Sequence, residues 1–180
     1  MKEKFLLRDL VYIAFLAALT SVLAYFAIPM PGGLPPLTGQ SLGVMLAGLL
    51  LGAKKGAASQ MVYLCLGLLG MPIFANGTAG VGVLAGPTGG FIWGFVAGAF
   101  VCGKLTEKNS HATFFSLAVA AALGGVVVVY LPGILQLAAV ASVTLTEAVV
   151  MMLPFLPGDL IKALLAASLA QKIRPLTKNS

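Results

Sequence analysis

Charge is the scarcest property of this sequence. Charged residues make up 9% of its 180 residues, whereas an ordinary soluble domain carries about 25%. The sequence is also 59% hydrophobic, and its mean hydropathy is +1.04. This composition excludes a soluble domain and predicts an integral membrane protein. Because a membrane-spanning helix needs about 20 apolar residues, the chain has room for roughly six spans with short loops, and we expect residues 1–180 to form a single membrane domain.

The side chains that build catalytic and metal sites are scarce as well. His111 is the only histidine, and the two cysteines, Cys65 and Cys102, lie in separate apolar runs. The sequence contains no Ser-His-Asp set, metal-ligand cluster or paired acid–base carboxylates, so we expect neither an enzyme nor a metal or other cofactor. The net charge of +6 comes from short basic clusters at the ends of apolar runs. That pattern indicates membrane topology rather than nucleic-acid binding.

The apolar runs predict an all-α, polytopic bundle of six transmembrane helices with structured outer loops. The spans are expected near residues 10–28, 41–52, 57–71, 90–103, 112–131 and 156–170. Lys and Arg accumulate on the cytoplasmic side of membrane proteins, which places both termini in the cytoplasm. Residues 132–156 are expected to lie outside and to contain a helical piece packed onto the bundle. Counting them as a further span would give seven helices and place the basic C-terminal end outside.

Glycine and proline, by contrast, are abundant, and they concentrate in two stretches predicted to lie on the outer face. The first, IPMPGGLPPLTGQ (residues 28–40), contains four prolines, which rule out a regular helix. Gln40 at its end is a candidate polar ligand group. The second, NGTAGVGVLAGPTGGFIWGF (residues 76–95), is rich in glycine and uncharged. Irregular backbone at membrane depth persists only where protein buries it or where it lines a cavity, so the second stretch predicts part of a binding site.

Several polar groups beside these stretches are candidates for binding a ligand. Asp159 and Lys162 lie three residues apart on one face of the last helix. There Asp159 would accept N–H bonds from a ligand or cap the helix, and Lys162 would neutralise a ligand carboxylate or pair with Asp159. Asn76 can donate and accept together, although an Asn-Gly pair is also a common turn. Thr88 and Gly89 lie at the expected start of a helix, where free N–H groups favour an anion.

Aromatic and small residues supply two further candidate features. Phe91 and Tyr130 are candidates for an apolar wall, although aromatic side chains in such a chain also face lipid or the core. In the first helix, Ala14 and Ala18 form a small-residue pair that overlaps a second pair, Ala17 and Ser21. Small residues four apart let helices approach closely in lipid. The pairs therefore predict either packing within this chain or docking of a partner subunit.

These features favour a transporter or a solute-binding membrane subunit over a channel, because the sequence has no recognisable ion filter. Two ways of driving uptake stay open. If uptake is driven by ATP, the ATPase must be another protein. The alternative is a self-sufficient, proton-coupled secondary transporter of a small carboxylate-bearing solute, for which only Asp159 and Glu147 could couple to protons.

Three motifs resemble those of the BioY family: GLLGMPIFANG (67–77), GPTGGFIWGF (86–95) and PFLPGDLIK (154–162). The similarity extends over essentially the whole chain. BioY proteins are the biotin-specific S components of energy-coupling factor (ECF) vitamin transporters. The resemblance therefore implies a multi-pass protein of the bacterial-type cell membrane that binds biotin with high affinity from the outside.

The same resemblance implies partners and roles for individual residues. The partners would be a transmembrane T protein and two ATP-binding ATPase subunits, with Ala14 and Ala18 as the docking surface. Asn76 and Asp159 would hold the ureido ring of biotin. Lys162, Thr88 or backbone amides would receive the biotin carboxylate, unless Lys162 stays beside Asp159.

Overall fold

The computed structural model describes residues 6–30, 35–107 and 112–178, with side chains as far as residue 174. These residues form an α-helical bundle with one short two-stranded ladder. The helices are α1 (Leu7–Ala24), α2 (Gln40–Leu68), α3 (Val81–Ala85), α4 (Gly89–Thr106), α5 (Phe114–Ala122), α6 (Val129–Ala141), α7 (Leu145–Met152) and α8 (Leu156–Lys178). The antiparallel strands are β1 (Ala27–Ile28) and β2 (Leu37–Thr38). Short 3₁₀ turns cover Ala75–Gly77 and Leu153–Phe155, and a π-helical segment covers Leu123–Val128.

The helix α2 contains a reversal of the chain. Gly52 interrupts it with φ +80° and ψ −178°, a conformation open to glycine because it has no Cβ. The side-chain amide of Gln40 donates a hydrogen bond to the hydroxyl of Tyr63 over 2.5 Å, 23 residues later. In a straight helix these residues would lie about 34 Å apart. The arms 40–51 and 53–68 are therefore antiparallel, as the sequence predicted for the second and third spans.

The first turn of the second arm is held by the end of α4. The Glu107 carboxylate accepts a hydrogen bond from the backbone N–H of Ala53 at 3.1 Å. Gly103 lies so close that a Cβ there would stand 2.2 Å from the same nitrogen. Among the described residues, five helical stretches are long and apolar enough to cross a membrane. With α2 counted as two arms, the six-helix prediction is confirmed.

The fifth span is longer than predicted. We expected it to end at Leu131, but the helix continues from Phe114 through Pro132 to Ala141. A proline inside a helix crowds the carbonyl four residues earlier, here that of Val128, the last residue of the π-helical segment. The wider π turn immediately before this proline explains how the helix passes through it.

Residues 132–156, which were expected to form an outside segment, do contain a helical piece. After Ser142, which adopts φ +55°, the chain forms α7 and packs Ala148 and Met152 into a buried cluster with Phe155. The helical piece is thus confirmed, whereas the expected start of the outside segment at residue 132 was wrong, because the preceding helix continues to Ala141. The last helix begins at Leu156, as predicted, and extends beyond residue 170.

The central helix is α4, which packs on both arms of α2 and on α6. Gly90 permits a close approach of α4 to α6, because a Cβ there would lie 2.2 Å from the carbonyl oxygen of Pro132. We call the end with β1, β2, α3 and α7 the loop end. The opposite end is the terminal end. The terminal end contains the start of α1 and the reversal at Gly52. The guanidinium of Arg174 donates a hydrogen bond to the carbonyl of Thr106 there, at 2.7 Å.

Candidate functional site

A cavity of about 330 Å³ opens at the loop end of the bundle. Eight residues were predicted to bind the ligand, and all of them except Gly89 line this cavity: Gln40, Asn76, Thr88, Phe91, Tyr130, Asp159 and Lys162. They come from α2, the glycine-rich stretch, α4, α6 and α8. The fold therefore brings both glycine- and proline-rich stretches and the start of the last helix around one space.

Asp159 is the polar centre of this cavity. Its side chain is 8% exposed. One carboxylate oxygen, Oδ1, accepts hydrogen bonds from the Ser41 hydroxyl at 2.8 Å and the Lys162 ammonium at 2.9 Å. The other, Oδ2, accepts from the Tyr130 hydroxyl at 2.6 Å. The buried charge is thus compensated by one cation and two hydroxyl groups, as a buried carboxylate requires.

Lys162 donates all three of its N–H groups to protein oxygens. Besides Asp159, its acceptors are the backbone carbonyl of Thr38 at 2.6 Å and the Ser41 hydroxyl at 3.1 Å. An ammonium group has three donors and no acceptor, so every donor is in use. Lys162 consequently ties β2 and the start of α2 to the last helix.

Gln40 lines the cavity and belongs to a second polar chain. Its amide oxygen accepts from the Thr38 hydroxyl at 2.8 Å, and its amide nitrogen donates to Tyr63. Tyr63 in turn donates to the carbonyl of Ile73 at 3.1 Å. Because both the oxygen and the nitrogen of the Gln40 amide are hydrogen-bonded, this side chain holds the two arms of α2 together at the loop end.

Asn76 adopts a left-handed conformation with φ +58°, which asparagine tolerates better than most residues. The residue lines the cavity. Its side chain makes no hydrogen bond within the described residues, so the amide has both a donor and an acceptor available. The turn interpretation and the ligand interpretation of Asn76 are therefore compatible.

The start of α4 lies beside the cavity. Thr88 is the residue before the first helical one, and its side chain does not cap the helix. Gly89 is buried and does not line the cavity. A Cβ at Gly89 would stand 1.9 Å from the carbonyl oxygen of Leu84, so this residue permits a close backbone contact instead of offering a side-chain surface.

Two groups that position the site were missed at the sequence level. Ser41 contacts Asp159 across 118 residues of sequence, a separation that leaves no local signal. Gln136 donates to the carbonyls of Leu84 and Gly86 at 2.7 and 2.8 Å and so anchors the glycine-rich stretch. It lies beyond Pro132, where we expected the helix to have ended.

The apolar part of the cavity contains the predicted aromatic pair. Phe91 and Tyr130 meet edge to face, with ring centroids 5.9 Å apart. Met152 and Phe155 complete this side. They were not predicted, because their segment was expected only to pack on the bundle. The site therefore combines one buried ion pair with an aromatic and aliphatic wall, which is typical of small-molecule sites.

The two small-residue pairs of α1 face different ways. Ala14 and Ala18 are exposed, whereas Ala17 is 2% exposed and belongs to the core. The hydroxyl of Ser21 donates a hydrogen bond to the carbonyl of Ala17 in the same helix at 2.9 Å. Ala17 thus packs within the chain, and the pair Ala14 and Ala18 is presented outward.

The six-helix bundle and its cavity define a class: a polytopic membrane protein with a small-molecule site at one end. A family model described as the BioY family matches residues 1–179. The chain belongs to the BioY family, as its motifs predicted. It is a multi-pass protein of the cell membrane.

Individual relatives agree with this assignment. The chain is 41% identical over 173 residues to the biotin transporter BioY of Rhizobium etli, an alignment that covers 92% of each protein. It is 37% identical over 177 residues to the biotin transporter BioY of Rhodobacter capsulatus, covering 92% of this chain and 93% of the relative. Its fold is similar to the crystal structure of the S-component for biotin from an ECF-type ABC transporter. That similarity has a TM-score of 0.87 and 31% identity, over 93% of this chain and 91% of the other.

Proposed function

We propose that this chain is the biotin-binding membrane subunit of an ATP-driven uptake system. The observation that carries the proposal is the buried Asp159 carboxylate, which shares a cavity of about 330 Å³ with Asn76. Biotin offers a cyclic urea, a thioether ring and a valerate carboxylate. The urea needs acceptors for its N–H groups and a donor for its carbonyl, and these two side chains supply both.

The hydrogen bonds already made by Asp159 leave room for one more. An ionised carboxylate has about four lone-pair positions, and three are taken by Ser41, Lys162 and Tyr130. The open position is on Oδ2, which accepts only from Tyr130. We assign it to a ureido N–H of biotin, and we assign the free amide of Asn76 to the ureido carbonyl and the second N–H.

For the carboxylate of biotin, we propose the Thr88 hydroxyl and the positive end of the α4 dipole, since the N–H groups of Gly89 and Phe91 already donate to backbone carbonyls. Thr88 lines the cavity, and its hydroxyl is not used as a helix cap. A helix N-terminus favours a negative charge. Lys162 is assigned the role of neutralising Asp159, because its three donors are already occupied. Gly89 lets the backbone come close, and Phe91 with Tyr130 forms the apolar wall for the rings.

Two loops are proposed to close over bound biotin. In the first, residues 35–38 line the cavity. Leu37 packs against α8, where a Cβ at Gly158 would lie 3.5 Å from its Cδ1. The second is the glycine-rich stretch, anchored by Gln136. Residues 31–34, the tip of the first loop, lie outside the described part of the chain.

The exposed pair Ala14 and Ala18 is proposed to dock on a transmembrane T protein, which associates with two ATPase subunits. Small side chains allow two helices to approach closely in lipid, where apolar surface alone gives little drive to associate. The terminal end, with its basic residues, is then on the cytoplasmic side, and both termini are inside. The chain changes the exposure of biotin and does not change it chemically.

Binding is tested by calorimetry on the detergent-purified chain with biotin, desthiobiotin and biotin amide. We expect saturable binding of biotin and weaker binding of the amide. Thr88→Ala should reduce the preference for biotin over the amide, whereas Thr78→Ala, a matched change in the same cavity, should not. Absence of saturable biotin binding would refute the function. If Lys162→Met abolishes the preference and Thr88→Ala does not, the carboxylate contact belongs to Lys162.

Transport is tested in proteoliposomes that contain the T protein and the ATPases. We expect ATP-dependent biotin uptake that is insensitive to a proton uncoupler. Ala14→Leu and Ala18→Leu should prevent assembly, while Ala97→Leu, an exposed alanine of α4, should not. Uptake by the chain alone that an uncoupler abolishes would establish the secondary-transporter alternative instead.

A further inference from the structure

A second cavity, of about 280 Å³, lies at the terminal end of the bundle. It is bounded by the start of α1, the two arms of α2 next to the reversal at Gly52, and the end of α8. Its lining combines apolar and polar residues, which we call the apolar side and the polar side. The apolar side consists of Phe15, Leu16, Leu50, Leu51 and Ile173, and the polar side of Arg8, Asp9, Tyr12 and Lys55.

The charges on the polar side do not cancel. Asp9 pairs with Lys55, whose ammonium lies 2.6 Å from its Oδ1. The other oxygen, Oδ2, accepts the backbone N–H of Leu6 at 3.2 Å. Arg8 is exposed, and its guanidinium makes no ion pair or hydrogen bond within the described residues. Two cations and one anion leave one net positive charge at the mouth of an apolar space.

We propose that this cavity binds an anionic phospholipid. Its phosphate would lie at Arg8 and Lys55, and one acyl chain would lie along Phe15 and Leu51. A free phosphate would use only the polar side and would leave the apolar side unfilled. An uncharged lipid would leave the positive charge of Arg8 without a counter-ion. Basic pockets between membrane helices are known to hold anionic headgroups.

This site is distinct from the biotin cavity but adjoins the proposed docking face. Successive residues of an α-helix turn by about 100°, so Arg8 points about 120° away from Ala14. By the same rotation, Phe15 points about 60° away from Ala18. The acyl chain would therefore lie beside the face that carries Ala14 and Ala18. The biotin cavity lies at the opposite end of the bundle, so lipid binding and biotin binding are predicted to be independent.

The test uses native mass spectrometry of the full chain, purified in detergent and titrated with palmitoyl-oleoyl phosphatidylglycerol or the matching phosphatidylcholine. We expect one phosphatidylglycerol to bind more tightly than phosphatidylcholine. Arg8→Gln should weaken phosphatidylglycerol binding about five-fold, since one basic contact near a membrane surface contributes about 1 kcal/mol. Lys104→Gln is the matched control, because it removes an exposed cation at the same end that does not line the cavity.

Phe15→Ala separates the lipid from a free anion. Phe15 is 62% exposed, so its removal should leave folding intact and still weaken phosphatidylglycerol binding. Biotin binding by each variant serves as the check on folding and should not change. The proposal is overturned if phosphatidylcholine binds equally well, if Lys104→Gln and Arg8→Gln have equal effects, or if inorganic phosphate displaces the lipid while Phe15→Ala has no effect.

Discussion

Replacing Asp159 with Asn should impair both biotin binding and stability, for separate reasons. The substitution keeps the shape of the side chain and removes its charge. It leaves the Lys162 ammonium, 14% exposed, without a counter-ion in the cavity. Breaking a buried ion pair by removing one partner costs about 3–5 kcal/mol. A hydrogen bond to a charged group contributes about 1.5–3 kcal/mol, which corresponds to a loss of roughly 10- to 150-fold in biotin affinity.

The two effects can be measured separately on the detergent-purified protein. Calorimetry gives the Kd for biotin, and thermal unfolding without biotin gives the stability. The double variant Asp159→Asn/Lys162→Met removes both charges, so it should recover stability relative to Asp159→Asn while binding biotin weakly. Ser41→Ala is a milder control, because it removes one hydrogen bond to Asp159 and keeps the ion pair.

Two results would refute this reasoning. If Asp159→Asn binds biotin as tightly as the unchanged protein, the carboxylate does not contact the ligand. If the double variant is no more stable than Asp159→Asn, the loss of stability does not come from an uncompensated Lys162 charge. The first result would remove Asp159 from the binding site, and the second would leave its binding role intact.

Three further predictions concern single positions. Asn76→Gly, which keeps the left-handed turn, should weaken biotin binding about ten-fold through the loss of neutral hydrogen bonds, measured by calorimetry. Gly90→Ala should destabilise the protein by about 1–3 kcal/mol, measured by thermal unfolding, because its Cβ would lie 2.2 Å from the carbonyl of Pro132. Gln136→Glu should increase hydrogen exchange over residues 81–88 and weaken biotin binding, because it removes both donors to that stretch.

Each of these changes has a control or a contrary result. For Gly90, the control is Gly82→Ala, since a Cβ at Gly82 meets nothing within 4 Å and its stability should barely change. Equal losses at the two glycines would show that the loss at Gly90 does not come from its contact with Pro132, since alanine by itself favours a helix more than glycine does. Unchanged exchange in Gln136→Glu would show that its hydrogen bonds do not hold the stretch. If Asn76→Gly binds biotin as tightly as the unchanged protein, Asn76 serves only the turn and does not contact the ligand.

Properties that depend on neighbouring residues were predictable from the sequence. Hydropathy located the spans, and prolines and glycines located the irregular stretches, because both act within a few residues. The pairing of Asp159 with Lys162 was foreseen as one possibility, because residues three apart share a helix face. The positions of Gln40, Thr88 and Phe91 near the ends of spans also placed them at one end of the bundle.

Contacts between distant segments required the tertiary structure. Local propensity ends a helix at Pro132, but the π-helical segment and the packing of α6 on α4 carry it onward and so position Gln136. Tyr63 reaches Gln40 only because the reversal at Gly52 returns α2 to the loop end. Ser41 reaches Asp159 only because α2 packs on α8. Composition alone predicted the membrane environment, and the positions of proline and glycine predicted the two irregular stretches but not the course of the helix through Pro132. Which polar groups meet in the cavity was decided by helix packing, since burial and hydrogen bonding join residues more than a hundred positions apart.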